Sequence, residues 1–244
     1  MKMFRAGYRF VFFALFLIAL ILRILWLRFW AGEDTRRFLE IRQRWTRRYL
    51  LPVLGVRMKV AGAVPEFPCI VMSNHRSYLD PAVLCADVLG FPVSKAEVAG
   101  WPLLGTGARL TGILFLKRES HKSRTETLQQ IGAKVREGYP VILFPEGTTH
   151  DLPHTSPLKR GAFQLAAEQG IPIVPVALEY RSPADYWIGE DTFVPHFFDR
   201  FGEAHMDVLI RYGRAIQGEN GAELLEKTQK WMDAQIQALR REFL

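Results

Sequence analysis

Cysteine is scarce. The 244-residue chain has two, Cys69 and Cys85, both inside apolar stretches. That leaves no disulfide framework and no thiolate metal spacing, and it fits buried free thiols in a reducing compartment. Acids are also in short supply, 25 against 32 lysines and arginines, for a net charge of +7. The expected partner is therefore acidic: a membrane surface, a phosphate-bearing ligand, an acidic protein or a nucleic acid. No internal repeat or low-complexity tract occurs, and no Gly-x-Ser-x-Gly elbow is present to display a serine nucleophile.

What is present begins with grease. Residues 10–22, "FVFFALFLIALIL", form an unbroken apolar run of 13 residues. As a helix the run covers about 20 Å at ~1.5 Å per residue, short of a hydrocarbon core ~30 Å thick. Extended to Leu27 with Arg23 snorkelling, it reaches across. A membrane anchor is expected, as a single span or a monotopic insertion. A cleaved signal peptide fits poorly, because arginines follow where a small-residue cleavage site belongs. Between Arg23 and Arg48 lie eight arginines and three acids. Phe38, Ile41, Trp45 and Tyr49 share one helical face, with Arg36, Arg37, Arg42, Arg44, Arg47 and Arg48 mostly around the others. Such a basic amphipathic helix suits an anionic membrane interface, or packs on its own domain. The division expected is an anchor and basic helix over 1–50 and a main domain over 51–244. The basic flank downstream of the run places that domain on the cytoplasmic side of a bacterial-type inner membrane.

From Gly55 onward strand-like and helix-like segments alternate. Strands are expected at 57–62, 69–73, 113–116, 140–144, 173–179 and 206–213. Helices are expected at 81–89, 101–110, 122–137, 159–169 and 221–241. The fold class is α/β, a layered, largely parallel central sheet flanked by helices. Residues 180–204 lack clear periodicity, and their aromatics and two prolines point to a functional cap.

Chemistry concentrates at strand ends. "SNHRSYLD" (73–80) follows an apolar strand and puts His75 at a strand-to-helix corner, five residues before Asp80. If the corner folds back, Asp80 fixes the tautomer of His75, raises its basicity and leaves its second nitrogen free to take a proton. Local spacing alone leaves open that Asp80 merely caps a helix ahead of Pro81. "FPEGTTHD" (144–151) ends another apolar strand; there Gly147 permits close backbone approach, the amides of the Gly-Thr-Thr turn can bind an anionic oxygen, and Glu146 adds a carboxylate. Lys117 and Arg118 close the strand-like "GILFLKRES" (112–120), and paired cations there suit a phosphate. Lys159 and Arg160 introduce "GAFQLAAEQGIPIVPVAL" (161–178).

In this order the four stretches resemble the glycerolipid acyltransferase family, the lysophosphatidate (1-acylglycerol-3-phosphate) acyltransferases and their relatives. The residues that carry the resemblance are Asn74, His75 and Asp80; Gly112, Phe115 and Arg118; Phe144 through Thr148; and Val174 with Pro175. It covers roughly residues 55–180. The resemblance implies that His75 is the general base on a lysolipid hydroxyl, oriented by Asp80, and that the oxygen attacks an acyl thioester directly. It implies acceptor binding by Asn74, Arg118, Glu146, Gly147, Thr148 and Thr149, with Lys117 and Lys159 lending charge and Val174 and Pro175 shaping the site. Acyl carrier protein or coenzyme A thioesters are the implied donors, with no further cofactor and no metal. One departure stands out: the family commonly has arginine after Glu-Gly-Thr, and Thr149 stands there. A charge-assisted phosphate contact worth about 1.5–3 kcal/mol is thereby lost. Lysophosphatidate stays narrowly ahead as acceptor, followed by a lyso-ornithine lipid or another lyso-aminolipid.

"HDLPH" (150–154) offers two histidines and an aspartate, but Pro153 and the absence of helical register argue against a preformed metal site. A non-catalytic lipid-binding scaffold has no use for an oriented base. Nucleic-acid binding has no motif to support it.

Overall fold

The computed structural model describes residues 1–116 and 121–243. Its elements run α1 (Lys2–Ala31), α2 (Thr35–Trp45), α3 (Leu51–Leu54), β1 (Val56–Ala61), β2 (Ile70–Ser73), α4 (Asp80–Asp87), β3 (Phe91–Lys95), α5 (Leu104–Leu110), β4 (Leu114–Leu116), α6 (His121–Arg136), β5 (Val141–Leu143), α7 (Gly161–Gln169), β6 (Ile173–Tyr180), α8 (Phe193–Arg200), β7 (Met206–Tyr212) and α9 (Gly221–Glu242). The seven strands form one sheet in the order β1-β7-β6-β2-β5-β3-β4. Only the β6–β7 pair is antiparallel.

Every residue of β2 and β6 is buried, as expected of central strands covered on both faces. Alternation divides their side chains between two layers. Val71, Val174, Val176 and Leu178 face the layer shared with α1 to α4 and α8. Ile70, Met72 and Ile173 face the layer of α6 and α7. Because β5 and β6 each pair in parallel with β2, the C-terminal ends of the three emerge side by side. In open α/β sheets that edge is where ligands bind.

α1 is longer than its apolar run predicts, and by length and composition it can cross a membrane. Its inner face is docked on the domain. Leu17, Leu20, Ile24 and Leu27 are buried in the main core, each contributing about 1.5–3 kcal/mol. Arg9 donates to the carbonyls of Val53 (2.9 Å), Phe201 (2.9 Å), Glu203 (2.6 Å) and Ala204 (3.0 Å). Gly55, with φ of 79°, ends α3 beside it, where a Cβ would lie 2.3 Å from the Arg9 guanidinium; only glycine allows both the turn and the approach.

α2 takes the second of the two placements expected of it. It packs on its own domain through Phe38 and Leu39, both buried, and Arg42 points inward. That guanidinium donates to the carbonyls of Thr111 and Gly90, so α2 is tied to the ends of α5 and β3.

Candidate active site

The corner after β2 folds back. Asp80 is fully buried, and its Oδ2 accepts from the amides of Arg76 (2.6 Å) and Ser77 (2.9 Å) and meets His75 Nδ1 at 2.7 Å. The carboxylate thus closes the loop that precedes α4 and does not serve merely as a cap for the helix. A carboxylate at Nδ1 places the proton there and leaves Nε2 as the basic nitrogen. Nε2 has no hydrogen bond among the described residues. The imidazole stacks on Phe144 with centroids 4.2 Å apart and planes 20° off parallel. Its own amide donates to Glu146 Oε2 at 2.7 Å. Backbone, ring plane and tautomer of His75 are therefore each fixed by a separate contact.

The last three residues of β6 each hold one member of the loop. Leu178 exchanges two 2.8 Å hydrogen bonds with the Asn74 side chain. Glu179 pairs with Arg76 at 3.4 Å. The Tyr180 hydroxyl donates to Asp80 Oδ1 at 2.6 Å. Around Glu179, fully buried, Arg240 donates at 2.8 Å and Tyr186 also donates. Arg76 bonds His150 as well, through Nδ1 (3.1 Å) and the carbonyl oxygen (2.9 Å). His150 Nε2 then donates to Glu146 Oε1 at 2.6 Å. His150 Nδ1 faces two donors, Arg76 and the Leu152 amide, so it is the accepting nitrogen, and Nε2 lies against Glu146 Oε1 and the Ser156 amide (3.3 Å). With both nitrogens engaged, His150 has none to spare for a metal.

A cavity of about 800 Å³ opens beside His75, within the roughly 300–1,000 Å³ typical of ligand sites. Phe13, Leu17 and Leu20 of α1 line it together with Cys85, Val93 and Ile131. Gly147, Thr148, Thr149 and Lys159 line it near the base. Gly147 adopts φ of 79° and turns the chain so that the Thr148 and Thr149 amides have no intramolecular acceptor among the described residues. Lys159 makes no ion pair among them.

One expected acceptor contact is placed differently. Asn74 is fully buried and bonded at both ends of its amide to Leu178, so it knits β2 to β6 and stays out of the cavity. The Glu146 carboxylate lines the cavity and also accepts from His75, His150 and the Ser156 amide (3.1 Å), so it braces the corner as well. The Thr149 hydroxyl is given to the Trp187 carbonyl, joining the turn to the aromatic segment after β6. Lys117 and Arg118 lie outside the described residues. Sequence reading missed Arg76, His150, Glu179, Tyr180 and Arg240; the available signal was the polar pair Glu179-Tyr180 closing an apolar strand.

Residues 56–179 match the family model described as Acyltransferase. A lyso-ornithine lipid O-acyltransferase of Rhizobium meliloti is 30% identical over 215 residues, covering 79% of this chain and 72% of the relative. Another, from Pseudomonas aeruginosa, is 31% identical over 191 residues, covering 78% and 70%. A chloroplastic 1-acyl-sn-glycerol-3-phosphate acyltransferase of Brassica napus is 35% identical over 114 residues, 46% of this chain and 33% of the relative. The crystal structure of the 1-acyl-sn-glycerophosphate acyltransferase PlsC from Thermotoga maritima shares the fold, with a TM-score of 0.78 over 98% of both chains at 17% identity. A family model spanning half the chain, and a relative matched along most of both lengths, together establish that this chain belongs to the acyltransferase family.

Proposed function

We propose that the protein moves a fatty acyl chain from an acyl thioester to the free hydroxyl of a lysolipid. The observation that carries this is the His75–Asp80 pair, whose imidazole lines a mostly apolar cavity. Nε2 takes the hydroxyl proton as the oxygen attacks the thioester carbonyl, and Asp80 stabilises the imidazolium. Collapse of the tetrahedral intermediate expels the thiolate, which recovers the proton from His75. The Thr148 and Thr149 amides are the candidate donors to the developing oxyanion or to an anionic head group. The donor is an acyl carrier protein or coenzyme A thioester, whose negative charge suits a chain of net charge +7.

For the acceptor we favour a lyso-ornithine lipid. Support comes from Thr149, which stands where a phosphate-binding arginine is common and spends its hydroxyl on Trp187. The two bacterial relatives matched over most of their length carry that activity in their names. Lys159, which lines the cavity, is the candidate cation for the head-group carboxylate. Lysophosphatidate is the second reading, favoured by the chloroplastic relative. With one thioester donor and both lysolipids offered in parallel to the purified protein, kcat/KM is expected to be higher for lyso-ornithine lipid. A preference for lysophosphatidate would reverse the order.

The outer face of α1 exposes Phe4, Tyr8, Val11, Leu15, Leu22 and Trp26, while its inner face is held by the domain. A lipid surface is the natural cover for such a stripe, with the helix lying in the interface and the catalytic domain on the cytoplasmic side. Replacing Leu15 and Leu22 by glutamate is expected to release the protein from anionic vesicles in a sedimentation assay without changing its melting temperature. Undiminished sedimentation would remove α1 from the membrane contact.

A further inference from the structure

Asp80 presents two oxygens to the protein, and they are served unequally. Oδ2 receives His75 and the amides of Arg76 and Ser77. Oδ1 has one donor among the described residues, the Tyr180 hydroxyl at 2.6 Å, a length found when O–H donates to an ionised carboxylate. Tyr180 lies at the end of β6, 100 positions from Asp80 and 2% exposed. Burial, and then the Asp80 charge, push its hydroxyl well above the ordinary tyrosine range, so it remains a donor wherever the enzyme works.

We propose that Tyr180 is a positioning residue that sets the proton affinity of the Asp80–His75 pair and so keeps His75 available as a base near neutral pH. The pair shares one 2.7 Å contact between Nδ1 and Oδ2, so a proton added to either group is felt by both. Before it takes up a proton it carries an uncompensated carboxylate charge, and this is the form that a hydroxyl on Oδ1 stabilises most. After uptake, the charge is neutralised by the imidazolium or by protonation of Asp80 itself, and the hydroxyl matters less. Removing the donor therefore moves proton uptake to higher pH, whichever site receives the proton.

Other charges around the pair stay in place when only the hydroxyl is lost. Asp185 and Tyr78 act on Tyr180 through space, and Asp185 is paired with Arg200 at 3.0 Å. Glu146, bonded to His150, faces His75 from the β5 side. Arg76 is held by Glu179. Lys95, Arg124 and Lys159 line the cavity that His75 faces. The Tyr180 ring, 6.4 Å from that of Tyr186, is retained in phenylalanine.

The consequence for turnover rests on the acyltransfer reading, but the titration does not. In the full-length protein with isotope-labelled histidine, the His75 resonance, identified by its loss in His75→Gln, is followed by NMR against pH. Tyr180→Phe is expected to raise the midpoint by about half a pH unit or more. The acid limb of kcat/KM should rise with it. An unchanged or lowered midpoint in the folded variant overturns the proposal, since a merely structural tyrosine alters the melting temperature alone. Should the phenylalanine variant fail to fold, a ring-fluorinated tyrosine at 180, a stronger donor, is expected to lower the midpoint, and a rise or no change overturns it. A shifted midpoint in a protein that transfers no acyl chain would uphold Tyr180 and strike the acyltransfer reading.

Discussion

Substituting His75 by alanine is expected to lower kcat by about 10²–10⁴-fold, the range that a positioned general base supplies, or roughly 2.7–5.5 kcal/mol of barrier. A lysolipid hydroxyl is a weak nucleophile at neutral pH, and among the described residues no second base is placed to replace the imidazole. The nearby carboxylates are committed: Asp80 has His75, Tyr180 and two amides on it, and Glu146 is braced between His75, His150 and Ser156. His150 has its accepting nitrogen already taken by Arg76. Lysolipid binding should survive, because the apolar walls of the cavity are untouched and only the ring stacked on Phe144 is lost. Initial rates at saturating thioester, beside equilibrium binding of the lysolipid, separate the two effects. A protein that used this fold only to hold lipid would show no loss, and activity unchanged in the variant would end the assignment of His75.

Glu179→Ala is expected to cost about 3–5 kcal/mol of stability, the usual consequence of removing one partner of a buried ion pair. Both Arg76 and Glu179 side chains are fully buried. Loss of the carboxylate strands the Arg76 guanidinium, whose Nε already lacks a partner, and frees the hydroxyl of Tyr186 and the Nε of Arg240. Glu179→Gln keeps an acceptor without the charge and should fall between. The exposed Arg36–Glu40 pair on α2 offers the contrast, since Glu40→Ala is expected to change stability by no more than about 0.5 kcal/mol. Denaturant midpoints measure all three. Activity should fall with stability in Glu179→Ala, because Arg76 also carries His150, which bonds Glu146 behind His75. Equal midpoints for Glu179→Ala and wild type would show that the network bears no weight.

The contrast between these two residues explains what could be read from the chain. His75 and Asp80 lie five residues apart, and their meeting needs only one turn of backbone after a strand. Glu179 and Tyr180 act on residues 103 and 100 positions away, and no local pattern encodes that register; it exists because β6 pairs beside β2. The alternation of strands and helices was legible because the central strands are mostly apolar and buried. β3 was not, because Pro92 stands second and the polar Ser94 and Lys95 close it. α8 lay hidden in residues 180–204, where Phe193 and Phe197 pack on Phe13 of α1, so its helical face is set by a partner distant in sequence. Arg42 read as an outward charge because the backbone carbonyls that hold it, those of Gly90 and Thr111, leave no mark in the sequence.

Direct transfer leaves a simple signature in the mass of the protein. Mixed with an acyl thioester alone, the purified chain should keep its intact mass and release no thiol, and both thiol and diacylated lipid should appear together once lysolipid is added. A chain that gains the mass of an acyl group before any acceptor is present would contradict one-step attack by a hydroxyl deprotonated at His75.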